Sequence, residues 1–244
     1  MLLVSSVFLP EKAPWVYLSH LSHLSHLSHL SHLSHLSHLS HLSHVSIESG
    51  AADAPLLETR VEAEQVWHGR FLDVRRDTVR HADGSEATRE YIVHPGAVMI
   101  VPLLEDGRLL MERQYRYPVG RVMLEFPAGK IDAGEAPFDC ARRELAEETG
   151  YRAGEWARAG ILHNAIAYST EGIEVWFARG LVAGPASLDA GEFLQTVVHS
   201  SDELDAMIGR GEVTDAKTLI GLLWWQRWQA GAWPMRWQAA PAAE

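Results

Sequence analysis

The chain is expected to fold as helices packed on a mixed sheet, in α/β or α+β layering, behind a small antiparallel β segment. Three observations carry this expectation. Apolar and alternating runs of strand length begin near residue 61, and turn clusters, Ala82-Asp83-Gly84 and Glu105-Asp106-Gly107, punctuate them. Helical periodicity first appears at Pro137 and is then interleaved with further strands.

Taken in order, 61–67 and 71–79 alternate loosely, and a third strand is expected around 90–94 beyond the first turn. Residues 97–104 form a nearly unbroken apolar run, as a strand buried on both faces requires. The second turn leads into 108–114, so these two strands are expected to pair as a hairpin. A helix is expected from Pro137 to Thr149, with proline near its start and Gly150 just past its end. Strands follow near 159–162 and 173–178, then helices over 201–210 and 215–229.

The N-terminal part is different in kind. Leu-Ser-His repeats without interruption over 18–44 and holds most of the 14 histidines. A period of three matches neither 3.6 nor 2.0, so it builds no stable apolar face. A His-rich tract can bind metal, but the plainer expectation is a solvated low-complexity segment, or one that is never translated. The stretch before it lacks a basic start and a small-residue cleavage site, so it makes a poor secretory signal. The organisation expected is a low-complexity segment 1–56, a β subdomain 57–95, a main domain 96–230 and a tail 231–244.

Composition removes several classes of function. Hydrophobic residues make up 47% and charged residues 22%, the proportions of an ordinary globular protein. No apolar run reaches membrane-spanning length, so no membrane partner is expected. A net charge of -11 argues against nucleic acid as partner. It does not argue against a small phosphorylated substrate, because bound cations reverse the field of an acidic site. The single cysteine, Cys140, makes no internal disulfide and sits in a helical pattern as a small buried thiol, consistent with a reducing cytoplasm.

The chemistry concentrates on the first helix. Glu144, Glu147 and Glu148 stand at i, i+3 and i+4, so three carboxylates share one face near the helix C-terminus. They repel one another, and the helix dipole disfavours them there. A hard divalent cation would offset both penalties. On charge alone this is an ordinary solvated face with Arg143 paired to Glu147. Spacing changes that reading. Gly129, five residues, Glu135, seven residues, Arg143-Glu144-Leu145, one residue, Glu147-Glu148, one residue and Gly150 resemble the complete Nudix box. Tyr151 stands where that box usually has an aliphatic residue.

The resemblance implies a loop-helix-loop on an α/β/α sandwich with a mixed sheet, hydrolysing a nucleoside diphosphate linked to another group. It implies Mg²⁺, or Mn²⁺, held by Glu144, Glu147, Glu148 and the Ala128 carbonyl, with Arg143 orienting a glutamate and Glu135 bracing the box. Upstream, Arg113-Gln114-Tyr115-Arg116 and Leu124-Glu125-Phe126-Pro127-Ala128-Gly129 are similar to the ADP-ribose and nucleotide-sugar pyrophosphatases of the family. On that resemblance Arg113, Arg116 and Glu125 bind substrate, Arg116 pairing with a phosphate and Glu125 accepting from a ribose hydroxyl, and the chain is a homodimer.

Two departures keep other substrates open. Ile166 stands where the ADP-ribose subgroup usually has proline, and Tyr168 lies where dinucleoside-polyphosphate hydrolases often carry tyrosine. NADH and GDP-mannose are further alternatives, and a nucleotide-sensing regulator is the alternative from another class. Glu192, on a glycine-containing loop, is the expected base or water-orienting carboxylate, with Glu171 second. The tryptophans from Trp224 to Trp237 are read as core or dimer contacts.

Overall fold

A computed structural model describes residues 52–241. The histidine tract, and the readings attached to it, lie outside the described residues.

The N-terminal sheet consists of β1 (Thr59–His68), β2 (Asp73–Arg80) and β3 (Glu86–Val93), in that order and antiparallel. Gly84, at φ 87°, closes the β2–β3 turn by donating to the His81 carbonyl at 3.0 Å. All ten residues of β1 are exposed, Val61, Val66 and Trp67 among them.

Two sheets build the main domain. One has the order β10 (Leu194–His199), β5 (Leu109–Arg116), β6 (Arg121–Glu125). The other runs β11 (Gln238–Ala239), β8 (Tyr151–Leu162), β9 (Ile173–Ala183), β4 (Ala97–Pro102), β7 (Ala128–Lys130). It is mixed, since β4 pairs parallel with β9 and antiparallel with β7.

Alternation along β4 divides the core. Met99 and Val101 point to one face with Val175 and Phe177, while Val98 and Ile100 point to the other with Trp176 and Ala178. The second face is covered by α1 (Pro137–Thr149) through Cys140, Ala141 and Leu145. The first is covered by α2 (Ser201–Gly209) and α3 (Ala216–Gln229) through Leu204, Leu222 and Trp225. A strand covered on both faces has no solvated side to mark with polar residues, which is why 97–102 reads as unbroken apolar sequence. α3 approaches closely at Gly221, where a Cβ would stand 2.7 Å from Met99 Cε. The expected α/β/α layering is present.

Two expectations need correction. β4 and β5 do not form a hairpin: a single bridge joins Leu103 to Leu109, after which the strands diverge into different sheets. The turn is real, with Gly107 donating to the Leu104 carbonyl at 3.0 Å, but β5 pairs with the following strand β6 and with the distant β10. β8 begins at Tyr151 rather than near 159, because Arg152, Arg158 and the bulge before Gly160 break its alternation. Within the expected tail, β11 pairs with Glu155 and Trp156, and Trp237 lies under the Arg179 guanidinium at 4.0 Å.

Candidate active site

α1 starts without a side-chain cap, so Pro137, which has no N–H to satisfy, suits its first turn. It ends on Gly150 at φ 75°, where a Cβ would stand 2.5 Å from the Gly184 carbonyl oxygen. No other residue fits both the left-handed backbone and that approach.

Gly129 is needed for another reason. A Cβ there would fall 1.9 Å from the Glu144 carboxyl carbon, so the missing side chain is the space the carboxylate occupies. Glu148 is 4% exposed and one of its oxygens accepts from the Ala128 N–H at 3.0 Å. Burial, with Glu112 and Glu144 nearby, pushes its carboxyl well above the ordinary range. Burial raises Glu144 too, against the pull of Arg143.

Arg143 is the organiser of the box. Its Nε and Nη2 grip both Glu135 oxygens at 2.8 Å, while Nη1 donates to Glu144 at 2.8 Å and Glu147 at 3.0 Å. That grip holds the Glu135 carboxyl down at about 2. Among the described residues no three metal-binding side chains already converge on one point. Glu144 and Glu147 are turned toward Arg143 instead. Cys140 is fully buried and donates to the Lys130 carbonyl at 3.3 Å; burial pushes its thiol up, so it stays protonated.

A cavity of about 440 Å³ opens over these acids. Glu144, Glu147, Glu148, Ala128 and Gly129 line one part of it, and Arg116, Lys217 and Asp215 another. Glu192 and Glu171 both reach it; Glu192 accepts from Gln114 Nε2 at 3.3 Å, and Glu171 lies 3.5 Å from His94 Nε2. Phe71 stands at its wall with the Lys130 ammonium 4.3 Å from the ring centroid and His94 edge-on. A larger hollow of about 560 Å³ lies elsewhere around α1, lined by Arg142, Arg152, Trp156 and Pro241. It includes Arg143 and Glu147 but neither Glu144 nor Glu148, so the chemistry belongs to the smaller one.

The substrate-facing residues need sorting. Arg116 is in the cavity, but Arg113 is not: it is exposed, it donates to Gln195 at 3.3 Å, and strand alternation puts it on the opposite face of β5. Glu125 also departs from expectation. It is 2% exposed, it accepts from Arg116 at 2.7 and 2.9 Å, and it is bonded to Lys217. Burial opposes its ionisation, yet the two cations hold its carboxyl below the ordinary value. With both oxygens engaged, Glu125 positions Arg116 and Lys217. Ile166 and Tyr168 are exposed on the loop after β8, and the Tyr168 carbonyl accepts from Ile92.

Four residues of this region escaped the sequence reading. Lys217, Phe71 and His94 belong to no local pattern, since their neighbours in the cavity are distant in sequence. Glu112 did leave a signal, an acid closing the apolar run Leu109-Leu110-Met111.

Comparison with known proteins agrees with this geometry. The NUDIX domain model matches residues 93–239, and that of the nucleoside diphosphate sugar hydrolase N-terminal domain matches 58–92. An ADP-ribose pyrophosphatase of Bacillus subtilis (strain 168) is 31% identical over 70% of this chain and 94% of its own. A methanol dehydrogenase activator of Bacillus methanolicus is 32% identical over 71% of this chain and 95% of its own. The crystal structure of an ADP compounds hydrolase superposes with a TM-score of 0.65 at 26% identity, covering 72% of this chain and 95% of that one.

Proposed function

The chain belongs to the Nudix family of hydrolases, and on that premise we propose that it splits the diphosphate of ADP-ribose, or a closely related nucleoside-diphosphate sugar, with Mg²⁺ or Mn²⁺. The products are AMP and ribose 5-phosphate. One observation carries this reading: a single cavity joins three helix carboxylates to Arg116 and Lys217. One part attracts cations, the other attracts phosphate.

The residues present fit a hard divalent ion. Their donors are all oxygen, Glu148 is buried beside the backbone at Ala128, and Gly129 leaves room for the Glu144 carboxylate. Glu144, Glu147, Glu148 and the Ala128 carbonyl would hold it, once Glu144 and Glu147 leave Arg143. When bound, it supplies Lewis-acid stabilisation of the charge that grows on the phosphoryl oxygens.

The chain's own residues do the rest. Arg116 offers its remaining guanidinium donors to a phosphate oxygen, and Glu125 keeps that fork from swinging. Phe71, 56% exposed at the cavity wall, presents a ring face to the base. Glu192 accepts a proton from the attacking water, with Gln114 steadying it. Water thus adds across one P–O bond, and the phosphate on the far side leaves with the bonding pair. The uncovered face of β1 is the surface proposed for the homodimer, and the cytoplasm is the proposed location.

The experiment is a screen of ADP-ribose, GDP-mannose, NADH and diadenosine polyphosphates with Mg²⁺, the products resolved by chromatography. ADP-ribose should be cut fastest. A preference for a dinucleoside polyphosphate would shift the reading to the one that Tyr168 suggests. The activator among the relatives gives some footing to a regulatory role, which tight ADP-ribose binding without any product would favour.

A further inference from the structure

We propose that Glu112, buried behind the cavity, is a further carboxylate of the cation site, sharing a divalent ion with Glu148. The proposal rests on the reading of Glu144, Glu147 and Glu148 as metal-holding residues and extends it to a strand outside the box.

Glu112 sits on β5 directly opposite Glu125 of β6. Like charges at opposed positions of a ladder repel. The two acids have met this differently. Glu125 takes both nearby cations, Arg116 and Lys217. Glu112 takes neither: it is 0% exposed, and neither of its oxygens has a hydrogen-bond donor. Such an acid is costly to bury, and native proteins seldom leave one without a partner.

What faces it is the Glu148 carboxyl, and strand alternation puts Glu112 on the same face of β5 as Arg116, which lines the cavity together with Glu148. Glu148 keeps one oxygen on the Ala128 N–H. Arg143 on α1 is spent on Glu135, Glu144 and Glu147. The two buried carboxylates therefore lie against each other with no protein donor bridging them. A divalent cation satisfies both at once and lends Glu148 a fixed position. Two acids on separate elements, α1 and β5, also hold an ion more rigidly than a helix face alone.

The test is Mn²⁺ binding to the full chain without substrate, by isothermal titration and by electron paramagnetic resonance of free Mn²⁺. Parent, Glu112→Gln and Glu148→Gln proteins are compared. Glu112→Gln is expected to bind at least about 10-fold more weakly, within the range seen when a metal's supporting carboxylates are removed. Its metal-free melting temperature should equal or exceed the parent's, since a buried charge has gone. Parent-like Mn²⁺ affinity in Glu112→Gln would overturn the proposal and leave a proton shared between two acids. If Glu148→Gln also binds as the parent does, the metal reading of the helix fails with it. Should Glu112→Gln not fold, parent crystals soaked in Mn²⁺ decide the matter. An anomalous peak within coordination distance of a Glu112 oxygen supports the assignment; peaks confined to the helix glutamates refute it.

Discussion

Replacing Gly129 by alanine probes the site at the point where backbone and metal chemistry meet. The new Cβ would lie 1.9 Å from the Glu144 carboxyl carbon, and ordinary contact begins near 3.4 Å, so that carboxylate must retreat by about 1.5 Å. Coordination tolerates only about 0.2 Å, so such a displacement removes Glu144 from a metal. Mn²⁺ affinity should therefore fall about 10- to 100-fold, and kcat/KM with it. Stability should hardly change, because what gives way is the end of a flexible side chain. Gly150→Ala is the control. Its Cβ meets backbone at 2.5 Å with φ at 75°, so it should lower stability by about 2 kcal/mol or more. Melting curves and Mn²⁺ titrations on both variants separate the two effects. Parent-like metal affinity in Gly129→Ala, or a loss of stability matching Gly150→Ala, would show that the Glu144 cradle has been misread.

Arg116→Ala should lower kcat/KM for ADP-ribose about 10- to 100-fold by removing a charge-assisted phosphate contact, whereas Arg113→Ala on the opposite face of β5 should stay within about twofold. Equal losses in steady-state kinetics would contradict the facing of that strand. Glu192→Gln should reduce kcat while leaving Mn²⁺ affinity unchanged, and a parent-like kcat would remove it as the proton acceptor. Acid sensitivity has a defined sign at Glu135. Its carboxyl is held at about 2 against a reference of 4.5, so the stability it contributes is present above 4.5 and lost as pH falls toward 2. Glu135→Gln should flatten that part of an acid-unfolding curve followed by tryptophan fluorescence; a curve parallel to the parent's would argue that Arg143 does not act through it.

The helix and its box were legible because they are local. Proline at the start, glycine at the end and three glutamates on one face are all consequences of 3.6-residue periodicity within thirteen residues. The run 97–102 was legible as a buried strand for a similar reason, since both of its faces demand apolar residues. The hairpin expected at Glu105-Asp106-Gly107 failed because a turn specifies a reversal, not a partner; β5 found β6 and β10 instead. Arg113 and Glu125 were carried over by the resemblance alone as substrate-facing residues. What they can touch depends on which side of a strand they occupy, and on Lys217, which lies 92 residues beyond Glu125.

By itself, then, the sequence determined the layered fold class, the acidic helix and the family whose spacing it shares, because each rests on contacts within a turn or two of chain. Only the tertiary structure decided which arginine enters the cavity, that Glu125 is already satisfied by two cations, and that Glu112 is buried against Glu148 without a partner. Those outcomes come from packing separate strands and helices against one another, where burial and the competition for a few cations set each carboxylate's state.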